Sequence, residues 1–280
     1  MEADERIPTY QRVNDDTIKL LRHGPDDTGF ERHLYSLDDV SPEQRARIEK
    51  KFFGEFVDDL AAKVYRKIVE TDPLELTFEE RKTWARYLMA QRARTPGIVK
   101  HIRKITNERI RDLLIRNNDR YMIARDNDGG ELPETALEWF DRTNPGERAN
   151  KGLEILMRLI QEPTITNALI EMHWWVYDAS MSLVPVLASD RPLRITRGIG
   201  EPGCIVSLPL TPSKIFMASP KISVRDAFAR QEVTATTSDH NRVVAYNAGR
   251  CVYGKSDMVF IQRYMGTVPE SLPTVRDEFG

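Results

Sequence analysis

The sequence predicts an α+β protein, with a helical N-terminal half packed on a small, mainly antiparallel C-terminal sheet. Three observations carry this. Hydrophobic residues at 40% and charged residues at 30% are the balance of an ordinary globular chain with a buried core. Through the first half apolar residues recur at helical spacing, and after Trp174 they gather in short β-prone runs bounded by Pro and Gly. Residues 1–165 are expected to form a hairpin and helical part and residues 166–280 a strand-rich part, the two joined in one compact unit.

Residues 7–22, IPTYQRVNDDTIKLLR, hold two strand-like runs around Asn14, Asp15 and Asp16, whose short polar side chains favour a turn, so a hairpin is expected. Residues 25–29 read as a polar loop. Ser41, Pro42 and Glu43 then carry a helix start: an N-cap, a first-turn proline and an acid at the positive end of the dipole. Beyond them Ile48, Phe52, Phe56, Leu60, Val64 and Ile68 recur every four positions, and Phe53, Val57, Ala61 and Tyr65 widen the stripe into a broad buried face. Asp72 and Pro73 end that helix. Thr77 and Glu80 resemble a capping box for the next, which runs through Trp84, Leu88 and Gln91 until Pro96 breaks or bends the chain.

A third helix over about residues 97–117 carries Ile98, Ile102, Ile105, Ile110, Leu113 and Leu114, with Arg103, Lys104, Arg109 and Arg111 on other, solvated faces. Residues 126–130, DNDGG, read as a loop; helices over 133–140 and 146–161 follow, and the helical half ends near Pro163. Residues 174–177, 183–187, 204–208 and 215–217 read as short strands. A last helix is expected over 241–253, on the spacing of Val244, Asn247, Ala248, Cys251 and Val252.

Forty-one Lys and Arg against 43 Asp and Glu leave a formal net charge of −2, which gives no overall field to gather nucleic acid or an acidic membrane. Cys204 and Cys251, the two thiols, stand in no C-x-x-C pair, which fits a reducing compartment and makes the cytoplasm the expected address. The opening MEADERIPTY carries no secretory signal, and no run approaches the ~18 apolar residues of a membrane span.

Residues 249–256 match the phosphate-cradling pattern G-x-x-x-x-G-K-[ST], with Gly249, Gly254, Lys255 and Ser256 in its fixed positions. The cradle needs amides turned inward ahead of a helix N-terminus, whereas Val252 and Tyr253 stand here on what reads as a helix already running. His23, His33, His101, His173 and His240 are scattered without the spacing of a zinc site, so no metal site is indicated. Arg94 with His101 fits a loose ribonuclease spacing that Pro96 and Gly97 interrupt, and Asp38 or Asp39 with Glu49 and Lys51 has the letters of a metal-dependent nuclease at the front of an ordinary amphipathic helix. Two segments are chemically denser. Gln91, Arg92, Arg94 and Thr95 end a helix, where cations suit the dipole. Ser189, Asp190 and Arg191 lie between two apolar runs, where Asp190 either caps a turn or presents a carboxylate to a ligand.

Gln91-x-x-Arg94-Thr95-Pro96 after an amphipathic helix, Trp175, the run LASDRPL over 187–193, the run LPLTP over 208–212 and Asn247 together resemble the bacterial family catalogued as domain of unknown function 4238. The resemblance spans about residues 10–253. Members usually begin with a His-His-Tyr-Val-Pro-Gln-like segment, which this chain lacks ahead of Ile7. The resemblance implies an architecture and a bacterial source, and brings no activity with it.

Three functions stay open. The first is binding of a polar or phosphorylated ligand in a cleft between the halves, with Gln91, Arg94 and Thr95 approaching from one side and Ser189, Asp190 and Arg191 from the other. The second is a metal-dependent phosphodiesterase or nuclease in phage defence, with Asp190 holding the ion and Arg94 steadying the phosphate. The third is a partner-binding module with no small-molecule site. Cofactor and partner are both unknown at this stage.

Overall fold

The structure is a computed structural model and describes residues 6–14, 17–24, 27, 34–38, 40–41, 47–71, 73–128 and 132–265. In chain order it contains strands β1 (Ile7–Asn14) and β2 (Thr17–His23), then helices α1 (Ile48–Asp58, wound as a π-helix), α2 (Asp59–Glu70), α3 (Phe78–Ala93) and α4 (Pro96–Arg116). Helices α5 (Asn118–Asp128), α6 (Ala136–Thr143), α7 (Glu147–Ile160) and α8 (Pro163–Glu171) follow. The rest holds β3 (His173–Asp178), β4 (Ala188–Ser189), β5 (Arg194–Ile195), β6 (Val206–Thr211), β7 (Lys214–Ser219), α9 (Ile222–Ala229), α10 (Val233–Asn247), β8 (Cys251–Tyr253) and α11 (Met258–Tyr264). The class is α+β. Among the described residues no helix is long and apolar enough to cross a membrane.

Contacts divide the chain into two compact units. The first comprises Met1–Phe30, Leu60–Thr95 and Pro163–Gly280. It contains two antiparallel sheets, one ordered β2-β1-β8-β4 and the other β3-β7-β6-β5. The expected hairpin is β1 with β2, Ile7 opposite His23; Asp15 and Asp16 lie outside the described residues. On its other edge β1 takes β8, with Tyr10 opposite Val252, and both side chains sink into a core with Leu187, Val244, Ala245 and Ile261.

In the second sheet the Trp174-Trp175 pair splits between faces, because neighbours along a strand point to opposite sides. Trp174 and Phe216 meet edge to face at 5.2 Å, and Phe216 meets Trp84 of α3 at 5.7 Å, so α3 seals that face. Arg81 locks the seam, donating from Nη2 to the carbonyls of Ile170 (2.6 Å) and Met172 (2.9 Å) with its guanidinium 4.0 Å from the Trp174 ring centre. Helix α3 begins with the expected capping box: Thr77 Oγ1 accepts from the Glu80 amide, and Glu80 Oε2 accepts from the Thr77 amide at 2.8 Å. On the opposite face Trp175, Tyr177, Ile215 and Met217 pack under Val224, Phe228 and Val233 of α9 and α10.

The second unit comprises Glu31–Asp59 and Pro96–Glu162. Helices α4 and α7 approach so closely at Gly152 that a Cβ there would lie 2.6 Å from Arg103 Cα. Arg103 pairs with Asp38, whose own amide donates to Asn150 Oδ1 at 2.8 Å. Arg148 clamps Asp141 through Nε (2.6 Å) and Nη2 (2.7 Å).

Several expectations are corrected. The four-residue repeat from Ile48 falls partly on a π-helix, whose i→i+5 bonds widen the turn; Ile48, Val64 and Ile68 of the repeat are buried together with Phe53, Val57 and Ala61, while Leu60 is exposed. Pro163 opens α8 instead of closing the helical half, since its missing amide is no loss at a first turn. Asp126, Asn127 and Asp128 complete α5; Gly129 and Gly130 lie outside the described residues, as do Pro42 and Glu43. Residues 183–187 are not a strand: Pro185 has no amide to pair, and the chain there is held by Asn241, whose Nδ2 donates to the Pro185 carbonyl and whose Oδ1 accepts from the Leu187 amide, both at 2.8 Å.

Candidate functional site

The two motifs that drew most attention in the sequence meet each other. Asp190 follows β4, and its amide donates to the Cys251 carbonyl at 3.1 Å. Its Oδ1 accepts from the Gly249 amide at 2.8 Å and its Oδ2 from the Arg250 amide at 2.6 Å. Burial pushes its carboxyl above the usual range, against the pull of those amides and of the Arg191 charge. Ser189 Oγ accepts from the Arg191 amide at 3.3 Å, a local turn bond. A Cβ on Gly249 would stand 3.0 Å from both Asp190 Oδ2 and Arg191 Nε, so only glycine fits the joint without displacing them.

This corrects the phosphate-loop match. Residues 241–253 are not one helix: α10 ends at Asn247, and Cys251–Tyr253 form β8, paired on both edges. Four amides along this stretch are already engaged. Those of Gly249 and Arg250 serve Asp190, that of Gly254 donates to the Pro8 carbonyl at 2.9 Å, and that of Ser256 donates to Tyr10 Oη at 3.2 Å. Lys255 is exposed. Gln91, Arg94 and Thr95 end α3, half-buried; the Arg94 amide donates to the Ala90 carbonyl at 2.9 Å. Neither cluster lines the two cavities described next, and among the described residues no three His, Cys, Asp or Glu side chains converge as metal ligands.

The cavities lie under α9 and α10, on the sheet face that carries Trp175. The pairing registers set Trp175 opposite Met217, Met217 opposite Ser207 and Ser207 opposite Arg194, so one cross-strand row runs over all four strands. At the Arg194 end is a cavity of about 250 Å³, walled by Arg194, Ser207 and Met217 from the sheet and by Thr236, Asp239 and His240 from α10. At the Trp175 end is one of about 600 Å³, which also meets Asp178 and Lys214. Tyr177, Phe228 and Gln231 line both.

Residues 3–258 match the model of the family described as Protein of unknown function (DUF4238). The chain belongs to the DUF4238 family. No curated protein and no solved structure matches it. Membership supplies no activity for this DUF4238 chain, whose function is unknown, so the chemistry has to come from the cavity walls.

Two side chains of the smaller cavity in this DUF4238 chain are electrostatically unfinished. His240 is buried, and among the described residues its Nε2 has no hydrogen-bond partner. Burial, and after it the Arg194 charge, pulls its pKa down to about 4, so the ring is neutral at physiological pH. Arg194 is half-buried, burial lowers its pKa too, and no ion pair joins it among the described residues. Nearby Asp239 is exposed and pairs with Arg242 at 3.1 Å. Trp175, which lines the larger cavity, is buried, and among the described residues its Nε1–H has no acceptor. His240 was passed over in the sequence as one of five scattered histidines. The available signal was its i, i+4 spacing from Thr236, on the same buried helix face as Thr237, Asn241 and Val244.

Proposed function

We propose that this DUF4238 protein binds a small organic anion, a carboxylate or phosphate ester, in the cavity between the sheet face and α10. The observation that carries the reading is that Arg194, with no ion pair among the described residues, and His240, whose Nε2 has no hydrogen-bond partner among them, stand in one wall. A half-desolvated guanidinium without a counter-ion gains more from an anion than one in water would, and its planar fork suits two oxygens at once. Neutral His240 supplies either an N–H to a ligand oxygen or a lone pair to a ligand hydroxyl, depending on tautomer, and Ser207 adds a hydroxyl. Buried polar atoms left open in a pocket are met by ligand or water when it fills.

In this reading Ser189, Asp190 and Arg191 act by position, fixing the turn that joins α10 to β8 and so the helix that presents His240. The protein would work in the cytoplasm, consistent with Cys204 and Cys251 both being buried thiols.

The test is phosphorus-NMR titration of inorganic phosphate, whose resonance should broaden with the wild-type protein. Arg194→Gln should abolish the broadening, and His240→Leu should weaken binding about tenfold, the value of one lost hydrogen bond to a charged group. Broadening that survives Arg194→Gln unchanged would remove the anion from this cavity.

A further inference from the structure

The smaller cavity is largely apolar, and its strands make it so. Side chains two apart on a strand share a face, so Ile215 stands beside Met217 on β7, and Ile205, just ahead of β6, stands beside Ser207. Tyr177, Ile215 and Met217 are buried core residues, and Ile205 and Phe228 pack against them. With Val243 of α10 they set six apolar side chains around a space of about 250 Å³. A hydrocarbon group entering such a space leaves water behind and gains about fourfold in affinity per buried methylene.

The charged side chains in these walls are Arg194 on β5 and Asp239 and Arg242 on α10, with His240 neutral at physiological pH. Arg242 and Asp239 face each other at 3.1 Å with side chains 52% and 72% exposed, so each offsets the other and water screens both. Arg194 is half-buried and joined by no ion pair among the described residues, so its charge is the one felt inside. One uncompensated cation calls for one negative charge. A phosphate monoester, whose second proton leaves near pH ~6, is a dianion above that pH, and its second charge would find no uncompensated cation in these walls. A carboxylate carries a single charge on two oxygens that match the fork of a guanidinium.

We infer that the ligand of this cavity is a small monocarboxylate with an apolar body, its carboxylate on Arg194 and its body among Ile205, Ile215, Met217 and Val243. The inference rests on the anion-binding reading of the same cavity and narrows it to one class of anion. Asp239 is then a specificity residue. Its carboxylate holds Arg242 away from the ligand and repels a dianion twice as strongly as a monoanion at the same distance.

The experiment is a proton-NMR titration of the full chain at pH 8 with acetate, isovalerate and methyl phosphate, each read through the broadening of its methyl resonance. Isovalerate has three carbons more than acetate and should bind about fiftyfold more tightly, at about fourfold per buried carbon. It should also bind more tightly than methyl phosphate. Arg194→Gln should abolish binding of all three. Asp239→Asn, at an exposed position, frees Arg242 and should tighten methyl phosphate about fivefold and isovalerate by less. Methyl phosphate that binds as tightly as isovalerate, or isovalerate that binds no more tightly than acetate, overturns the carboxylate assignment and leaves the anion pocket standing. Binding of none of the three, or isovalerate binding unmoved by Arg194→Gln, overturns both. An isovalerate to methyl phosphate ratio unchanged in Asp239→Asn overturns the part given to Asp239.

Discussion

Replacing His240 with leucine should make the protein's stability less sensitive to mild acid. The wild-type imidazole titrates at about 4 in the folded chain against an ordinary 6.5, because burial and the Arg194 charge disfavour the imidazolium. Between those values the unfolded chain binds a proton that the folded chain refuses. Stability therefore falls as pH drops from above 6.5 toward 4, and the loss is complete below the folded value. Linkage over this shift gives about 2 kcal/mol lost at pH 5 and about 3 kcal/mol in full. His240→Leu has no such proton to bind. Urea unfolding of both proteins at pH 8 and pH 5 should show the variant gaining about 2 kcal/mol on the wild type over that range, with the other titrating groups cancelling in the subtraction. Parallel curves would show that His240 is hydrated or partnered in solution, and would withdraw the desolvation on which the cavity's chemistry depends.

Gly152→Ala should destabilise the second unit by about 3 kcal/mol or more in chemical denaturation, since the added methyl group would sit 2.6 Å from the Arg103 backbone and α4 and α7 would have to part. Arg81→Lys keeps the charge and loses the fork that spans the Ile170 and Met172 carbonyls and the contact over Trp174, so a loss of about 2 kcal/mol is expected in thermal or urea melts. Asp190→Ala leaves the Gly249 and Arg250 amides without their acceptor and should cost about 2 kcal/mol, read out as faster amide hydrogen exchange at Arg250 and through β8, with Asp190→Asn restoring part of the protection.

Local signals carried most of the helices and longer strands. The capping box at Thr77 is a three-residue pattern, and the split of Trp174 from Trp175 follows from a two-residue period, so both were legible. Residues 241–253 were not, because Val244, Ala248 and Val252 fit a helical stripe although only the first belongs to the helix. A three-residue strand is too short to declare a period, and β8 owes its state to the partners on its two sides, which come from residues 9–11 and 188–189. At 189–191 and 249–250 the Asp190 carboxylate takes the amides of Gly249 and Arg250 and the Ser189 hydroxyl takes that of Arg191, and composition alone cannot distinguish such local bonding from a ligand site. In the cavity wall, Arg194 and His240 come together only through the packing of α10 on the sheet, and the solitary letters R and H gave no sign of it.

The strand at 251–253 completes a sheet whose other members include the chain's first hairpin. During synthesis β1 emerges about 240 residues before its neighbour β8 exists. At ~5–20 residues per second the free edge of β1 stays open for ten seconds or longer, with every unpaired amide and carbonyl offered to whatever extended chain comes near. Crowded polysomes making this protein should therefore be its most aggregation-prone setting, and a chaperone that shields the nascent hairpin should raise the yield of folded chains more than any later assistance.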